Sequence, residues 1–586
     1  MSLLKDLSPD EQAHVNHYLE EVFIPAGTCI MKQGSPGDGC YLIDEGIVRL
    51  EINIEEIQSD SVLGYLEPGM WLGEFSLVDG EPRSANAYAE TDVRARFFSV
   101  DNFKELCAVH PQIGLTITTN LSLELTRKMR DMNERFANYI FTETSSPAID
   151  EMVSNAAAAQ KELQSWPEDR IDALINDIAE AIYEKAEELA EDTVMETKIG
   201  LASDKVIKIT NMSKGLASYL AGKTGFGYLS IEGENGVKEI ASPMGVVYGL
   251  IPITNPVPTI AFKTLICLKS RNALIFSCHR NSLQVGNKAG EIIKTVLRKH
   301  GAPDDLVQWI KDRASRIITA MVMSHKDISF ILATGGSSLV KAAYSSGNPA
   351  IGVGPGNAPV LICKDADVKA VAEAVIFSKS FDNGLLCGSE NNLVVNASLK
   401  NALIKSLEDN GAAVLKPEEK ELFTATVIDP ASGSIRLEAI GQSAEAIAGV
   451  VGINRSYPIK LIVIPVEEHE LQGPYGKEKL APILSMFFVN DEGEEMELCK
   501  RLLLNQGAGH IAIIHSHNDD IINRFGLEMP VSRIIVNYPG VAGCTGVMGG
   551  LVPSATLGCG TLGGSSTTDN VNYTNLLNIK RMTIGR

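Results

Sequence analysis

From Gly245 onward the chain alternates short, wholly apolar runs with helical segments, and this alternation restricts the possible folds more than any other feature. The runs are Val246 to Ile251, Ala273 to Phe276, Ile328 to Ala333 and Pro359 to Ile362, with helical patterns between them at Ser282 to Arg298 and Ser338 to Tyr344. A strand that is apolar on both faces has to be covered on both faces, so the pattern predicts parallel strands flanked by helices, a doubly wound α/β domain. A second stretch of the same texture, Asn391 to Asn537, follows without repeating the sequence. At 586 residues the chain exceeds what one compact core can fill, and two or three folding units are expected.

The N-terminal part reads differently. Between Phe23 and Val100, β-like runs such as Cys40 to Leu42, Ile47 to Glu51 and Ala87 to Ala89 are punctuated by glycine, which predicts a small β jelly-roll barrel. Pro111 to Phe136 then reads as a helix with Leu121, Leu125 and Met129 in one apolar stripe, packed within its own domain or against a partner helix. Asn138 to Asp150 is polar and proline-interrupted, as linkers are. Beyond it, Pro167 opens a helix whose apolar face is Ile171, Leu174, Ile175, Ile178 and Ile182.

The formal net charge of −21 argues against broad nucleic-acid binding and against an anionic membrane surface, since both need clustered Lys and Arg. No signal-peptide pattern and no bilayer-length apolar run is apparent, so a cytoplasmic protein is expected. The ten cysteines have no paired spacing, which suggests neither a disulfide framework nor a metal site and assigns most of them to packing.

Two segments of the N-terminal part carry chemistry. Gly73-Glu74-Phe75-Ser76-Leu77 and Pro82-Arg83-Ser84-Ala85, with Gly34, Gly37-Asp38, Tyr41 and Gly46 upstream, closely resemble the phosphate-binding cassette and turns of cyclic-nucleotide-binding domains. On physical grounds, Arg83 offers a planar donor fork to a cyclic phosphate and Glu74 an acceptor to a ribose hydroxyl. Backbone N–H groups at Gly73 and the Ser84 hydroxyl would complete the anion site. Either cAMP or cGMP fits this reading, and a degenerate module without ligand is its alternative.

The remainder resembles aldehyde dehydrogenases, in particular the CoA-acylating branch that includes the aldehyde half of bifunctional aldehyde/alcohol dehydrogenases. The likeness rests on the stretch from Gly245 through Thr254-Asn255-Pro256, on Ala333-Thr334-Gly335-Gly336, on Ser380-Phe381-Asp382-Asn383-Gly384-Leu385-Leu386-Cys387, on Glu478-Lys479-Leu480-Ala481-Pro482 and on Leu557-Gly558-Cys559-Gly560. It implies an α/β fold with a Rossmann-like cofactor domain over 151–385, a catalytic domain over 386–545 and a C-terminal return and oligomerisation segment over 546–586. These would follow a cyclic-nucleotide-binding domain over 1–137 and a linker over 138–150. Homo-oligomers are expected on the same ground.

The resemblance makes Cys387 the nucleophile, whose thiolate would attack the aldehyde carbon. Asn255 and the Cys387 backbone N–H would hold the resulting oxyanion. Thr334, Gly335, Gly336 and Ser337 would bind a dinucleotide at a strand-to-helix turn, Ser277 lies where the adenosine ribose is held, and Glu478 would take the nicotinamide ribose. NAD is expected, with NADP open because Ser277-Cys278-His279 replaces the Lys-Pro of many relatives. Hydrolytic members carry a glutamate where this chain has Val353, 34 residues before Cys387. Valine cannot abstract a proton from water, so the cysteinyl thioester is left for an incoming thiol, coenzyme A. A hydrolytic enzyme in which another carboxylate such as Glu390 substitutes is one alternative, and a non-catalytic sensor or scaffold is another. His510, in a Gly-His pair, is either a helper in deprotonating CoA or a satisfied core histidine.

Overall fold

The computed structural model describes residues 3–54, 59–77, 82–123, 125–126, 146–230, 237–430 and 432–584, and the chain divides into two compact units, Met1–Ile140 and Phe141–Arg586. In the first, eight strands form: β1 (Glu20–Ile24), β2 (Cys29–Met31), β3 (Gly39–Glu45), β4 (Val48–Ile54), β5 (Ser59–Leu66), β6 (Trp71–Leu72), β7 (Asn86–Ala89) and β8 (Val93–Ser99). They pair antiparallel in two four-stranded sheets of order β1-β8-β3-β6 and β2-β7-β4-β5. Period-two alternation sends Val93 and Ala95 of β8 into the core and leaves Arg94 between them exposed. In the helical stretch at 111–123, Ile113, Ile117 and Leu121 pack on Phe103 and Leu106 of the helix Val100–Val109, and Leu125 joins the same cluster. The stripe foreseen around Leu121 and Leu125 thus packs within its own unit. Met129, like residues 138–145 of the expected linker, lies outside the described residues.

The second unit begins with the helix Pro147–Gln164 and the helix Glu168–Glu184, where Pro167 is the N-cap and Ile171, Leu174, Ile175, Ile178 and Ile182 are all buried. A three-stranded sheet, β9 (Gly227–Ser230), β10 (Lys238–Pro243) and the last strand Leu577–Met582, joins distant parts of this unit. A five-stranded parallel sheet follows, of β11 (Val246–Ile251), β12 (Ala273–Cys278), β13 (Val307–Trp309), β14 (Phe330–Ala333) and β15 (Ala350–Gly352), in the order β13-β12-β11-β14-β15. Every residue of β11 is buried, as a run apolar on both faces requires, and the helix Pro256–Lys269 behind it is buried on all sides.

A second parallel sheet of seven strands contains β16 (Ala358–Ile362) and β17 (Glu390–Asn396) at its centre. Here the structure departs from the expected partition: β16 pairs with β17 and not with β15, so the change of sheet falls between Gly352 and Ala358, upstream of 385. Local texture announces a buried strand but not its hydrogen-bonding neighbour. Among the described residues no helix is long and apolar enough to cross a membrane.

Candidate active site

Cys387 sits between the end of the helix Val368–Ser380 and β17, on a loop of unusual backbone. Asp382 (φ 46°), Asn383 (φ 53°) and Gly384 (φ 71°) are consecutive left-handed residues. Such a run costs energy for non-glycine residues and persists only when its surroundings hold it. They do: the Asp382 carboxylate accepts from Leu201 N–H (2.8 Å) and Lys205 Nζ (3.0 Å), and Asn383 Nδ2 donates to the Gly441 carbonyl (2.8 Å). On the other side, Gly356 lies so close that a β-carbon there would stand 2.0 Å from the Cys387 carbonyl oxygen. The Cys387 loop is therefore clamped from two directions. Burial pushes the Cys387 thiol pKa up; Cys544, Glu478 and Cys559 push it the same way, and Arg533 pulls it down.

Asn255 is the N-cap residue of the helix Pro256–Lys269, where β11 ends. Its Oδ1 accepts from Lys208 Nζ (2.7 Å), and Lys208 is also ion-paired with Asp382. Lys205 Nζ donates to the Thr254 carbonyl (3.3 Å) as well as to Asp382. Lys205 and Lys208 stand three apart on the helix Ala202–Thr210, hence on one face, and both are buried. Burial, then the Lys208 charge, brings Lys205 down to about 8. Sequence reasoning missed this cluster, because lysines are ordinarily solvent-exposed and their acid partner lies far along the chain.

Glu478 accepts from Gly356 N–H (3.1 Å), which places it beside Cys387 through the shared neighbour, and its own N–H donates to Gln506 Oε1 (2.6 Å). Burial raises its carboxyl to about 7, opposed by Lys379. Val353, just past β15, offers no proton acceptor. Glu390 is fully buried and accepts from Gly540 N–H (2.7 Å), so it is tied to the helix Gly540–Cys544.

His510 is 1% exposed, and neither ring nitrogen has a hydrogen-bond partner among the described residues. It is not a satisfied core histidine. Burial, then Arg533, takes its pKa to about 3, so the imidazole is neutral near pH 7. Arg533, also unanticipated, is itself buried and donates to the carbonyls of His510 (3.1 Å), Gly558 (2.8 Å), Thr568 (3.1 Å) and Asp569 (3.0 Å) and to Asn570 Oδ1 (2.5 Å).

The turn after β14 has Gly336 as N-cap of the helix Ser337–Tyr344. Gly336 and Ser337 are exposed, nothing lies within 4 Å of the place a Gly336 β-carbon would take, and Thr334 Oγ1 lies 3.4 Å from Thr556 Oγ1. Gly335 is half-buried, and Ser277 is buried within β12. The open glycine turn at the carboxyl end of a parallel strand has the room and the backbone donors that a dinucleotide phosphate needs. Under the same sheet, Lys263 is fully buried and donates to the carbonyls of Leu250 (2.6 Å) and Leu332 (2.8 Å).

In the first unit, Arg83 and Glu74 are both buried and adjacent to Gly73. Arg83 donates to the Gly73 carbonyl (3.1 Å), Ser76 Oγ (2.8 Å) and Asp38 Oδ1 (2.6 Å). Ser84 is exposed, and Ser76 is the hydroxyl that meets the guanidinium.

Comparison with known proteins fits this geometry. The aldehyde dehydrogenase family model matches residues 135–570, and that of the cyclic nucleotide-binding domain matches residues 21–110. The chain is 34% identical over 436 residues to a succinate-semialdehyde dehydrogenase (acetylating) of Clostridium kluyveri, covering 74% of this chain and 95% of that one. It is 36% identical over 442 residues to the bifunctional aldehyde-alcohol dehydrogenase of Escherichia coli (strain K12), covering 75% of this chain but 49% of that protein, so it spans about half of that relative's length. The crystal structure of an acetylating aldehyde dehydrogenase from Geobacillus thermoglucosidasius superposes with a TM-score of 0.72 at 37% identity, covering 75% of this chain and 96% of that one. The chain belongs to the aldehyde dehydrogenase family, is similar to its acetylating members, and carries a cyclic nucleotide-binding domain in its N-terminal part.

Proposed function

We propose that this protein oxidises an aldehyde with NAD⁺ and passes the acyl group to coenzyme A, through a thioester on Cys387, and that a cyclic nucleotide regulates it. The names of the acetylating relatives support the reaction class. The observation that carries it in this chain is Val353: an apolar side chain stands where hydrolytic members have their base, while Glu390 is fully buried with Oε1 held by Gly540 N–H. Glu478, the carboxylate whose charge reaches Cys387, is anchored to Gly356 N–H, which suits a ribose-binding role.

In this reading the Cys387 thiolate attacks the carbonyl carbon, and the oxyanion is held by Asn255 Nδ2 and the Cys387 N–H. A dinucleotide on Thr334 to Ser337, with Ser277 toward its adenosine end and Glu478 on its other ribose, accepts the hydride; the reaction is reversible. The CoA thiol loses its proton to solvent and its sulfur displaces Cys387 from the acyl carbon; His510, 1% exposed and with its pKa taken to about 3 by burial and Arg533, is too enclosed and too weak a base to take that proton. Acetaldehyde is the family default among substrates. Product analysis tests the reading: acyl-CoA should form with CoA present, free acid should form slowly without it, and Cys387→Ala should abolish NADH formation, a loss of ~10⁴-fold or more. Full-rate acid production without CoA overturns the acyl-transfer assignment.

The sheet orders β1-β8-β3-β6 and β2-β7-β4-β5 support reading the N-terminal unit as a jelly-roll barrel. Arg83, Glu74, the Gly73 backbone and the rim hydroxyl of Ser84 would hold cAMP or cGMP there, and a soluble, cytoplasmic homo-oligomer is the proposed setting. Identical kinetics and assembly with and without saturating cAMP or cGMP would remove the regulatory half.

A further inference from the structure

We infer that Lys208 is a positioning residue for the oxyanion hole: it fixes which way the Asn255 amide points and strengthens its N–H as a donor. The inference rests on the reading of Asn255 as oxyanion donor given above and adds to it a residue outside the substrate's reach.

An asparagine amide can present either its oxygen or its NH₂ to the reacting carbonyl, and only the second stabilises negative charge. The flip state therefore decides whether Asn255 helps or hinders. An ammonium has three donors and no acceptor, so whatever atom of Asn255 faces Lys208 Nζ at 2.7 Å must be the oxygen. The NH₂ is then turned away, where its protein partner is the weakly placed Thr254 Oγ1 at 3.3 Å, and Asn255 is half-buried rather than sealed. An N–H remains available to an oxyanion. A charged donor on the amide oxygen also polarises the amide and makes that N–H a stronger donor.

Lys208 can do this because it is itself immobilised. It is 7% exposed, and its ion pair with fully buried Asp382 is reinforced by Lys205 on the same carboxylate. Lys205 also grips the carbonyl of Thr254, the residue before Asn255 (3.3 Å). Asp382 lies on the left-handed turn that leads into Cys387, so one buried carboxylate links the nucleophile's loop to the orientation of its oxyanion donor. The Asp204 carboxylate accepts the Asp382 N–H (2.7 Å) and completes the cluster.

The test is a double-mutant cycle on the full-length enzyme with acetaldehyde, NAD⁺ and CoA. Asn255→Ala is expected to lower kcat by ~10²- to 10³-fold. Lys208→Met should lower kcat by ~10-fold or more with the KM for NAD⁺ unchanged, because it acts through one donor of that hole. In the Asn255→Ala background Lys208→Met should cost little further, and Lys208→Arg, which keeps a charged donor, should recover most of the wild-type kcat. If Lys208→Met does not fold, Lys208→Gln replaces it in the same cycle. Losses that multiply, or a Lys208→Met variant with wild-type kcat, overturn the inference while leaving Asn255 in its role. A harmless Asn255→Ala would instead overturn the reading of Asn255, and the inference with it.

Discussion

The two units both bury an arginine at a site, but they neutralise it differently. In the N-terminal unit Arg83 is 7% exposed yet ion-paired with Asp38, whose side chain is 72% exposed. In the second unit Arg533 is held by four backbone carbonyls and one amide, with no carboxylate within ion-pair distance among the described residues. Lys263 follows the same pattern, as do Lys379, which donates to the Lys479 carbonyl (2.8 Å), and Lys479, which donates to the carbonyls of Tyr475 and Lys477. An exposed carboxylate is a partner that an incoming phosphate can displace at little cost, since water takes it up. Backbone carbonyls in a packed fold cannot leave. The first arrangement suits reversible occupation by an effector, and the second suits a preorganised centre whose hydrogen-bond donors do not rearrange during reaction.

Four experiments sharpen or break this contrast. The largest effect is expected for Arg533→Met, which strips the carbonyls of His510, Gly558, Thr568 and Asp569 of a donor; urea unfolding of the full chain should show a loss of about 3 kcal/mol. A near-neutral result would mean the carbonyl cage is not what holds that region. Arg83→Ala should weaken cyclic-nucleotide binding ~30-fold by calorimetry, the worth of charged hydrogen bonds to a phosphate, and leave basal dehydrogenase kinetics intact. Next comes a pH effect. Glu478 is raised to about 7, so its ionised, ribose-accepting form is lost as pH falls through that value. The KM for NAD⁺ should therefore rise ~10-fold for each unit below it, and Glu478→Gln should be flat over the same range. Because His510 is taken to about 3, it should add no acid limb between pH 5 and 8. The smallest change belongs to Asp38→Asn, expected to tighten cyclic-nucleotide binding by ~2- to 5-fold through removal of a competing surface carboxylate. Weaker binding instead would show that Asp38 supports the bound state.

Legibility followed the range of the interactions involved. Period and apolar runs identified the α/β texture, the glycine-punctuated strands of the N-terminal unit and the stripe from Ile171 to Ile182, since each is set by neighbours within a few residues, while the stretches around Glu74, Arg83, Asn255 and Cys387 were legible through their resemblance to known families. That Arg83 meets Ser76 and Asp38 was not legible, because which side chains turn toward a guanidinium depends on how the turn folds back on the strands.

What the chain by itself determined is the list of parts: buried strands, their order, and the chemical groups available at Cys387, Glu478 and His510. The tertiary structure alone decided that β16 joins the second sheet, that His510 is buried without a hydrogen-bond partner among the described residues, and that Lys205 and Lys208 are buried on Asp382, 177 and 174 residues away. The physical reason is that hydrophobic periodicity is a property of a segment, whereas the cost of burying a charge or an imidazole depends on which distant groups the fold brings to meet it.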